Sequence, residues 1–124
     1  MSELIIRTKG ANLISEKLRI CDTSEPIKVK AELDKAWKYY DDYALILKYY
    51  GYSEKVLLSK ELECEIPSEL LSMEIPSYLY DKDHKRTIYA RLIGIIYSAS
   101  GEYAINLKRS RLESIITIET AEKE

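Results

Sequence analysis

The fold of this chain is indicated most clearly by the stretch Ile27-Lys28-Val29-Lys30-Ala31-Glu32-Leu33. Apolar and charged residues alternate along it, so an extended backbone turns one side toward a core and the other toward solvent. The same alternation, or a run rich in β-branched residues, recurs in these further stretches: Leu4–Thr8, Leu18–Ile20, Leu62–Ile66, Thr87–Ile96, Tyr103–Leu107 and Ile115–Ile118. Thr87–Ile96 is apolar enough to be buried on both faces. With turn residues between them, about seven or eight short strands predict an all-β antiparallel sandwich or barrel.

One region allows a second interpretation. Apolar residues recur at helical spacings of four, three, four and three in Leu33, Trp37, Tyr40, Ala44 and Leu47. A helix around residues 31–50 would give an α+β fold. Asp41-Asp42 interrupts this stripe, and the Tyr-rich and Leu-Ile-Leu parts favour strand. Strand–turn–strand is our prediction here, and the helix is the alternative.

Length and composition indicate one domain. The 124 residues are 46% hydrophobic and 32% charged, which is ordinary for a globular protein. We expect a single sandwich domain over residues 1–119 and a charged tail over residues 120–124. Ser68–Met73, between two prolines, predicts one short helical turn capped by Ser68. The two cysteines, Cys21 and Cys64, are too few for a disulfide framework and are expected to be buried free thiols.

Charge excludes some classes of partner. The net charge is −2, and the 19 basic and 21 acidic residues are mixed along the chain. The chain therefore lacks the positive stripe that non-specific nucleic-acid binding needs, and neither nucleic acid nor membrane is an expected partner. No apolar run reaches the roughly 18–20 residues of a membrane span, and no signal peptide is recognisable. We expect synthesis in the cytoplasm.

The residue patterns of common catalytic sites do not occur. The single histidine, His84, lies among charged residues, and no Cys/His cluster supplies metal ligands. Asp81 and Asp83 alternate as in a calcium loop, but the Gly and Glu of such a loop are missing. Asp41 and Asp42 are adjacent and would diverge in a strand, whereas acid–base catalysis needs convergent groups. We expect no enzyme activity, no metal and no cofactor.

Two features point to protein surfaces. The chain has eleven Tyr and no Phe, which suits partly wet interfaces, although a bias toward A/T-rich codons would give the same excess. The basic run near residue 110 is either solvated or forms rim salt bridges with an acidic partner. The candidate interface residues are Tyr39, Tyr40, Tyr43, Lys108, Arg109 and Arg111.

The order of these features resembles a known family. Its elements are a Trp and Tyr-rich region (Trp37–Tyr43), a strand with a terminal Gly (Ala44–Gly51), the block Leu62–Leu71, a long apolar strand (Ile88–Gly94) and a turn at Ser100-Gly101. The block contains Cys64-Glu65-Ile66-Pro67-Ser68-Glu69, which is similar to the family's Cys-x-Ile-Pro-x-Glu strand end. The chain thus resembles the short immunoglobulin-like domains of baseplate and tail proteins from phages of low-GC Gram-positive bacteria.

The resemblance covers residues 27–118 and implies an immunoglobulin-like β-sandwich with Trp37 between its sheets. Cys64, Ile66 and Leu92 are the other core candidates. It also implies a virion protein, a decoration or accessory subunit that binds capsid, tail or baseplate proteins in many symmetric copies. The chain departs from the family in residues 107–112, which match loosely, in a longer stretch 72–86, and in having no receptor-binding domain after it.

Two alternatives stay open. Exposed tyrosines on a sandwich would suit a carbohydrate- or receptor-binding module that recognises a host-surface glycan. A helix over residues 31–50 would instead suit a small intracellular α+β regulator or assembly factor.

Overall fold

The structure, a computed structural model, describes residues 2–75 and 85–119. These residues form ten strands: β1 (Glu3–Lys9), β2 (Asn12–Ser15), β3 (Leu18–Ile20), β4 (Ile27–Glu32), β5 (Asp42–Tyr49), β6 (Tyr52–Leu57), β7 (Glu63–Ile66), β8 (Lys85–Tyr97), β9 (Ala104–Arg109) and β10 (Glu113–Glu119). A 3₁₀ turn spans Lys35–Trp37, and a single α-helical turn, α1, spans Ser68–Leu71. The predicted all-β class is confirmed, with more strands than the seven or eight expected.

Two sheets pack against each other as a sandwich. Sheet 1 has the order β2-β1-β4-β7, and sheet 2 has the order β3-β10-β8-β5-β6, with β9 also pairing with β8. Each sheet contains one parallel pair, β1 with β4 and β3 with β10, where the sequence had indicated antiparallel pairing throughout. The parallel pairs join segments that are distant in sequence, so hairpin-type patterning does not reveal them.

The core lies between the sheets and is built from alternate residues. In β4, Ile27, Val29 and Ala31 are 2%, 0% and 3% exposed, while the charged residues between them reach solvent. Strand β8 adds Ile88, Ala90 and Leu92 from the facing sheet. At about 25 cal/mol per Å² of buried apolar surface, this shared core is the main force that holds the two sheets together.

Strand β8 is long enough to have two partners on one side. Its first half pairs with β10 and its second half pairs with β9. The bend between β9 and β10 is fixed by the buried Ser110, whose N–H donates to the Leu92 carbonyl at 2.9 Å and whose Oγ accepts from the Leu92 N–H at 2.9 Å. Arg111 then donates its N–H to the Ala11 carbonyl of the β1–β2 turn, which joins the two sheets.

Residues 31–50 do not form a helix, so that alternative is wrong. Strand β4 ends at Glu32, and β5 begins at Asp42, with only the 3₁₀ turn between them. The Asp34 carboxylate accepts hydrogen bonds from the Gly10 N–H (2.8 Å) and the Thr8 hydroxyl (3.1 Å), which hold the chain against β1. Tyr39 has φ of 73°, a left-handed conformation that no helix contains.

Two smaller expectations need correction. The helical turn forms where predicted, but Pro67 occupies the cap position and Ser68 makes no capping hydrogen bond. The cysteines are free but not both buried, since Cys21 is exposed and Cys64 is half-buried. The expectations for Asp81, Asp83 and His84, and for the tail 120–124, lie outside the described residues.

Candidate protein-interaction surface

Sheet 2 carries apolar side chains on both of its faces. Along β5, Leu45 and Leu47 belong to the core between the sheets. Ala44 and Ile46 alternate with them and therefore point away from sheet 1. A second, smaller apolar cluster forms on this outward side, where Ala44 and Ile46 pack with β8 side chains.

The strand register extends this cluster across four strands. Ala44 pairs with Leu57 of β6 on one side and with Ile93 of β8 on the other. Ile95 pairs with Leu107 of β9. Side chains of directly paired residues lie on the same side of a sheet. We call the set the outer apolar face: Ala44, Ile46, Leu57, Ile93, Ile95, Tyr97 and Leu107.

The side chains at the centre of the outer apolar face are buried, and those at its margins are exposed. Ile93 and Ile95 are only 7% and 3% exposed, which agrees with the prediction that this strand is buried on both faces. Leu57 and Leu107, at the two margins, are 53% and 41% exposed. The centre of the face is therefore buried, whereas the large apolar side chains at its margins are exposed to solvent.

Strand β9 is the most exposed part of this surface. Its apolar alternation predicts a strand with a buried side, and the strand forms. The alternating residues Tyr103, Ile105 and Leu107 are nevertheless 63%, 59% and 41% exposed, so the expectation of burial is wrong. Among the described residues β9 pairs with β8 alone, which leaves its other edge without a neighbouring strand.

The charges around the outer apolar face are basic. Strand alternation and register place Lys48, Lys55, Arg91 and Arg109 on the same side of sheet 2. None of these four forms an ion pair within residues 2–75 and 85–119, although Arg91 donates to the Ser110 carbonyl at 2.7 Å. The carboxylate of Asp42 on this side accepts a hydrogen bond from the Tyr97 hydroxyl, which raises the pKa of Tyr97.

The outer side of sheet 1 is different because it carries charges of both signs, several of which form ion pairs. Arg7 lies 2.8 Å from Glu32 and 3.9 Å from Glu16, and Lys28 lies 3.8 Å from Glu63. Such exposed pairs contribute little stability, about 0–1 kcal/mol each, but they leave the surface electrically balanced. Sheet 1 therefore presents a charged exterior of mixed sign. The β6-β5-β8-β9 part of sheet 2 presents an apolar exterior bordered by cations without ion pairs among the residues that the structure describes, whereas at the β3–β10 edge Arg19 pairs with Glu119.

Trp37 closes one end of the sandwich and is fully buried. Its Nε1–H donates to the Gly10 carbonyl at 2.7 Å, and the Lys108 ammonium lies 5.1 Å from the centre of its ring. The Gly10 N–H and the Thr8 hydroxyl both donate to the Asp34 carboxylate, which holds the pKa of Asp34 below its usual value. This network connects β1, the 3₁₀ turn and β9.

Two of the candidate interface tyrosines pack inward instead. The Tyr43 hydroxyl donates to the Trp37 carbonyl, and burial raises the pKa of Tyr43. The Tyr40 ring lies between Trp37 and Tyr43, with ring centres 6.5 Å and 6.2 Å away. Gly94 leaves the space for this ring, since a Cβ there would lie 2.9 Å from the Tyr40 Cγ. Both tyrosines stabilise the Trp37 end of the fold.

The remaining interface candidates divide between three places. Tyr39 is 91% exposed on the loop before β5. Arg109 is exposed beside the outer apolar face, and Arg111 is exposed where the chain crosses toward β1. Lys108 alternates with Arg109, points to the other side of β9 and contacts Trp37. Only Arg109 of the basic run therefore borders the outer apolar face.

The core candidates lie close to where the sequence placed them. Trp37, Ile66 and Leu92 are fully buried, and Cys64 is half-buried at the margin of the core. Burial, with a smaller contribution from Glu65, raises the pKa of the Cys64 thiol to about 11. A thiol with so high a pKa is a packing group rather than a nucleophile at neutral pH.

Two open clefts lie away from the outer apolar face. One, of about 300 Å³, is lined by Asp41, Asp42, Ser59 and Lys60 together with apolar residues. The other, of about 350 Å³, is lined by Lys28, Cys64 and glutamates. Within the described part of the chain, no three His, Cys, Asp or Glu side chains are grouped to hold a metal ion. No helix in the described ranges is long and apolar enough to cross a membrane.

Sequence reasoning found part of this surface. The continuous apolar run in β8 signalled a strand buried on two sides, and Arg109 was a candidate. The outward role of Ala44, Ile46 and Leu57 was missed, because only the register with β8 shows which side each residue occupies.

Comparison with known proteins adds no relative: no protein-family model matches the chain, and neither a curated protein nor a solved structure is detectably similar to it.

Proposed function

We propose that this protein is a non-enzymatic structural subunit of a phage virion or phage-like particle. It binds neighbouring capsid, tail or baseplate proteins as a decoration or accessory subunit, in many symmetric copies. The outer apolar face is its docking surface.

The observation that carries this proposal is the exterior of sheet 2. Leu57, Ile105 and Leu107 are each between 41% and 59% exposed around a covered apolar centre. Contiguous exposed apolar surface with a polar border is characteristic of sites where proteins meet. A solitary sandwich domain would instead have an exterior like that of sheet 1, with paired charges.

The strand order is consistent with the immunoglobulin-like part of the resemblance. Strands β10, β8, β5 and β6 lie side by side in the order of strands G, F, C and C′ in variable-type immunoglobulin sandwiches. The fully buried Trp37 lies in the 3₁₀ turn, five residues before β5 begins at Asp42, whereas such sandwiches carry their tryptophan on strand C itself. The parallel β1–β4 pair is a further departure from that antiparallel scheme.

Particle composition tests the proposal. Particles are purified by density gradient from cells that express the chain, washed in high salt, and measured by quantitative mass spectrometry and electron microscopy. We expect the chain at a fixed, symmetric copy number per particle, whereas a soluble host protein of similar abundance is removed by the wash. A chain that remains wholly in the supernatant contradicts the proposal.

A glycan-binding module is the second candidate. Tyr39 and Tyr103, which are 91% and 63% exposed, offer aromatic rings on which sugars could stack. A glycan array separates the two functions, because a virion subunit gives no signal that depends on these rings. A signal lost in Tyr39→Ala and Tyr103→Ala would favour the glycan.

The third function considered, a small α+β regulator or assembly factor, required a helix over residues 31–50. Strand β5 and the 3₁₀ turn occupy that region, so the helix on which this alternative depended does not form.

A further inference from the structure

The open edge of β9 differs from the other sheet edges of this molecule. Strands β2, β3 and β7 are short edge strands of four, three and four residues, and β6 carries Glu54 and Lys55. Short length and charge are the usual ways in which proteins prevent an edge from pairing with another chain. Strand β9 is as long as β6 and also has two charged residues, Lys108 and Arg109, but these lie at its end, so residues 104–107 form an uncharged run. It is the described edge most able to accept a further strand.

The charges beside this edge indicate what the added strand must carry. Arg109 lies on β9 itself and Arg91 on the neighbouring β8, both on the outer side of sheet 2 and without ion pairs among the described residues. Lys48 and Lys55 lie on the same side but two and three strands away. Asp42 on the same side is already engaged by the Tyr97 hydroxyl. A partner that brings carboxylates would supply the missing counter-charges, and one that brings apolar side chains would cover Ile105 and Leu107.

A second copy of this chain does not meet these requirements. Edge-to-edge pairing of two copies would bring together two β9 strands that each carry Lys108 and Arg109 but no carboxylate, so the cations would gain no counter-charge. The complementary surface must therefore belong to a different protein.

We propose that a different protein docks here through an extended segment of alternating apolar and acidic residues, which adds to β9 as a new strand. Backbone hydrogen bonds to β9 supply part of the affinity, and the side chains supply the specificity, as in other cases of strand addition. Apolar side chains of the segment contact Leu107 and its neighbours, and a carboxylate of the segment pairs with Arg109. This inference rests on the proposed docking function and adds the chemistry of the partner.

The test uses the full chain, labelled with ¹⁵N, and two synthetic peptides. One peptide alternates Glu with Ile, and the matched control alternates Lys with Ile at the same length. We expect the Glu peptide to shift amide resonances of residues 104–109 and of β8 opposite them, and to bind at least about tenfold more tightly than the Lys peptide at low salt.

Variants locate the site. Arg109→Glu should weaken Glu-peptide binding at least about fivefold, because the attractive charge on β9 becomes repulsive. Lys9→Glu makes the same kind of change at an exposed position of β1 and should leave binding unchanged. Leu107→Ser should weaken binding, whereas Ile14→Ser on β2 removes a side chain of similar exposure, 47% against 41%, and should not.

Three outcomes would overturn the inference: no binding of the Glu peptide at millimolar concentration, equal affinity for both peptides, or resonance shifts confined to sheet 1. A fourth is a shift of the resonances of residues 104–109 with protein concentration alone, which would identify a second copy as the occupant. The proposed function is judged separately. A chain absent from particles that still binds the Glu peptide defeats only the function, and an Arg109→Glu chain that enters particles normally defeats only the inference.

Discussion

Trp37 shows at the scale of one residue how burial and a polar contact act together. Its ring is fully buried, and its Nε1–H is satisfied by the Gly10 carbonyl at 2.7 Å. Trp37→Ala leaves a cavity and an unpaired carbonyl, so we expect a loss of about 3–5 kcal/mol in the free energy of unfolding. Chemical denaturation measures this loss. Tyr39→Ala, at the 91% exposed position nearby, is the control and should change stability by less than about 0.5 kcal/mol.

The two cysteines should react at very different rates. Cys21 is exposed, whereas Cys64 is half-buried and has a pKa of about 11. At pH 8 only about one Cys64 thiol in a thousand is then ionised, and the thiolate is the reactive form. Alkylation followed by peptide mass spectrometry should label Cys21 first. Fast labelling of Cys64 in the folded protein would show that the half-buried position opens to solvent.

At the scale of elements, the contact of Gly94 with Tyr40 fixes how the loop before β5 lies on β8. A Cβ at residue 94 would approach the Tyr40 ring to 2.9 Å, so Gly94→Ala should displace the ring and destabilise the fold by about 1–3 kcal/mol. Thermal unfolding of the two single variants and the double variant tests whether the contact with the Tyr40 ring is the cause. In a Tyr40→Ala background the same change at Gly94 should be nearly neutral, and an equal loss in both backgrounds would assign the effect to the backbone instead.

The sequence predicted strands with a buried apolar side more readily than strands that bury little. Strands β4, β7 and β8 were recognised because each buries alternate or continuous apolar residues. Strands β2 and β6 were missed because each lies at a sheet edge and buries little: β2 buries only Leu13, and no residue of β6 is fully buried. Period-two burial is weak where only one neighbour and part of one face are covered.

The interaction surface was predictable only in part for a related reason. The sequence of β9 alternates as it would in a strand with one buried side. Composition does not show whether that side is covered by another part of the chain or exposed to solvent. Likewise, Lys108 and Arg109 are neighbours in sequence but lie on opposite sides of β9, and Lys108 is engaged with Trp37. The charge of each residue can be read from the sequence, but the side of the sheet that it occupies follows only from the strand pairing.

At the scale of the whole molecule, carboxylates favour folding at neutral pH. Hydrogen bonds lower the pKa of Asp34, through the Gly10 N–H, and of Glu113, through the Lys17 ammonium. A lowered folded-state pKa stabilises the fold above the unfolded value, near about 4, and this contribution disappears as pH falls through the folded value. We therefore expect the thermal midpoint to fall below about pH 4, and to fall less steeply in Asp34→Asn than in the parent. A midpoint unchanged down to pH 2.5 would contradict this.

The pairing of β3 with β10 has a consequence for how the molecule is made. Leu18 lies beside Ile116, so sheet 2 is incomplete along this edge until nearly the whole described chain has been synthesised. Contacts between segments this far apart form slowly because a long loop must close first. The sandwich is therefore completed only after β10 has been translated. A nascent chain that is truncated before Glu113 lacks the strand that pairs with β3 and β8, so part of its core stays exposed to solvent.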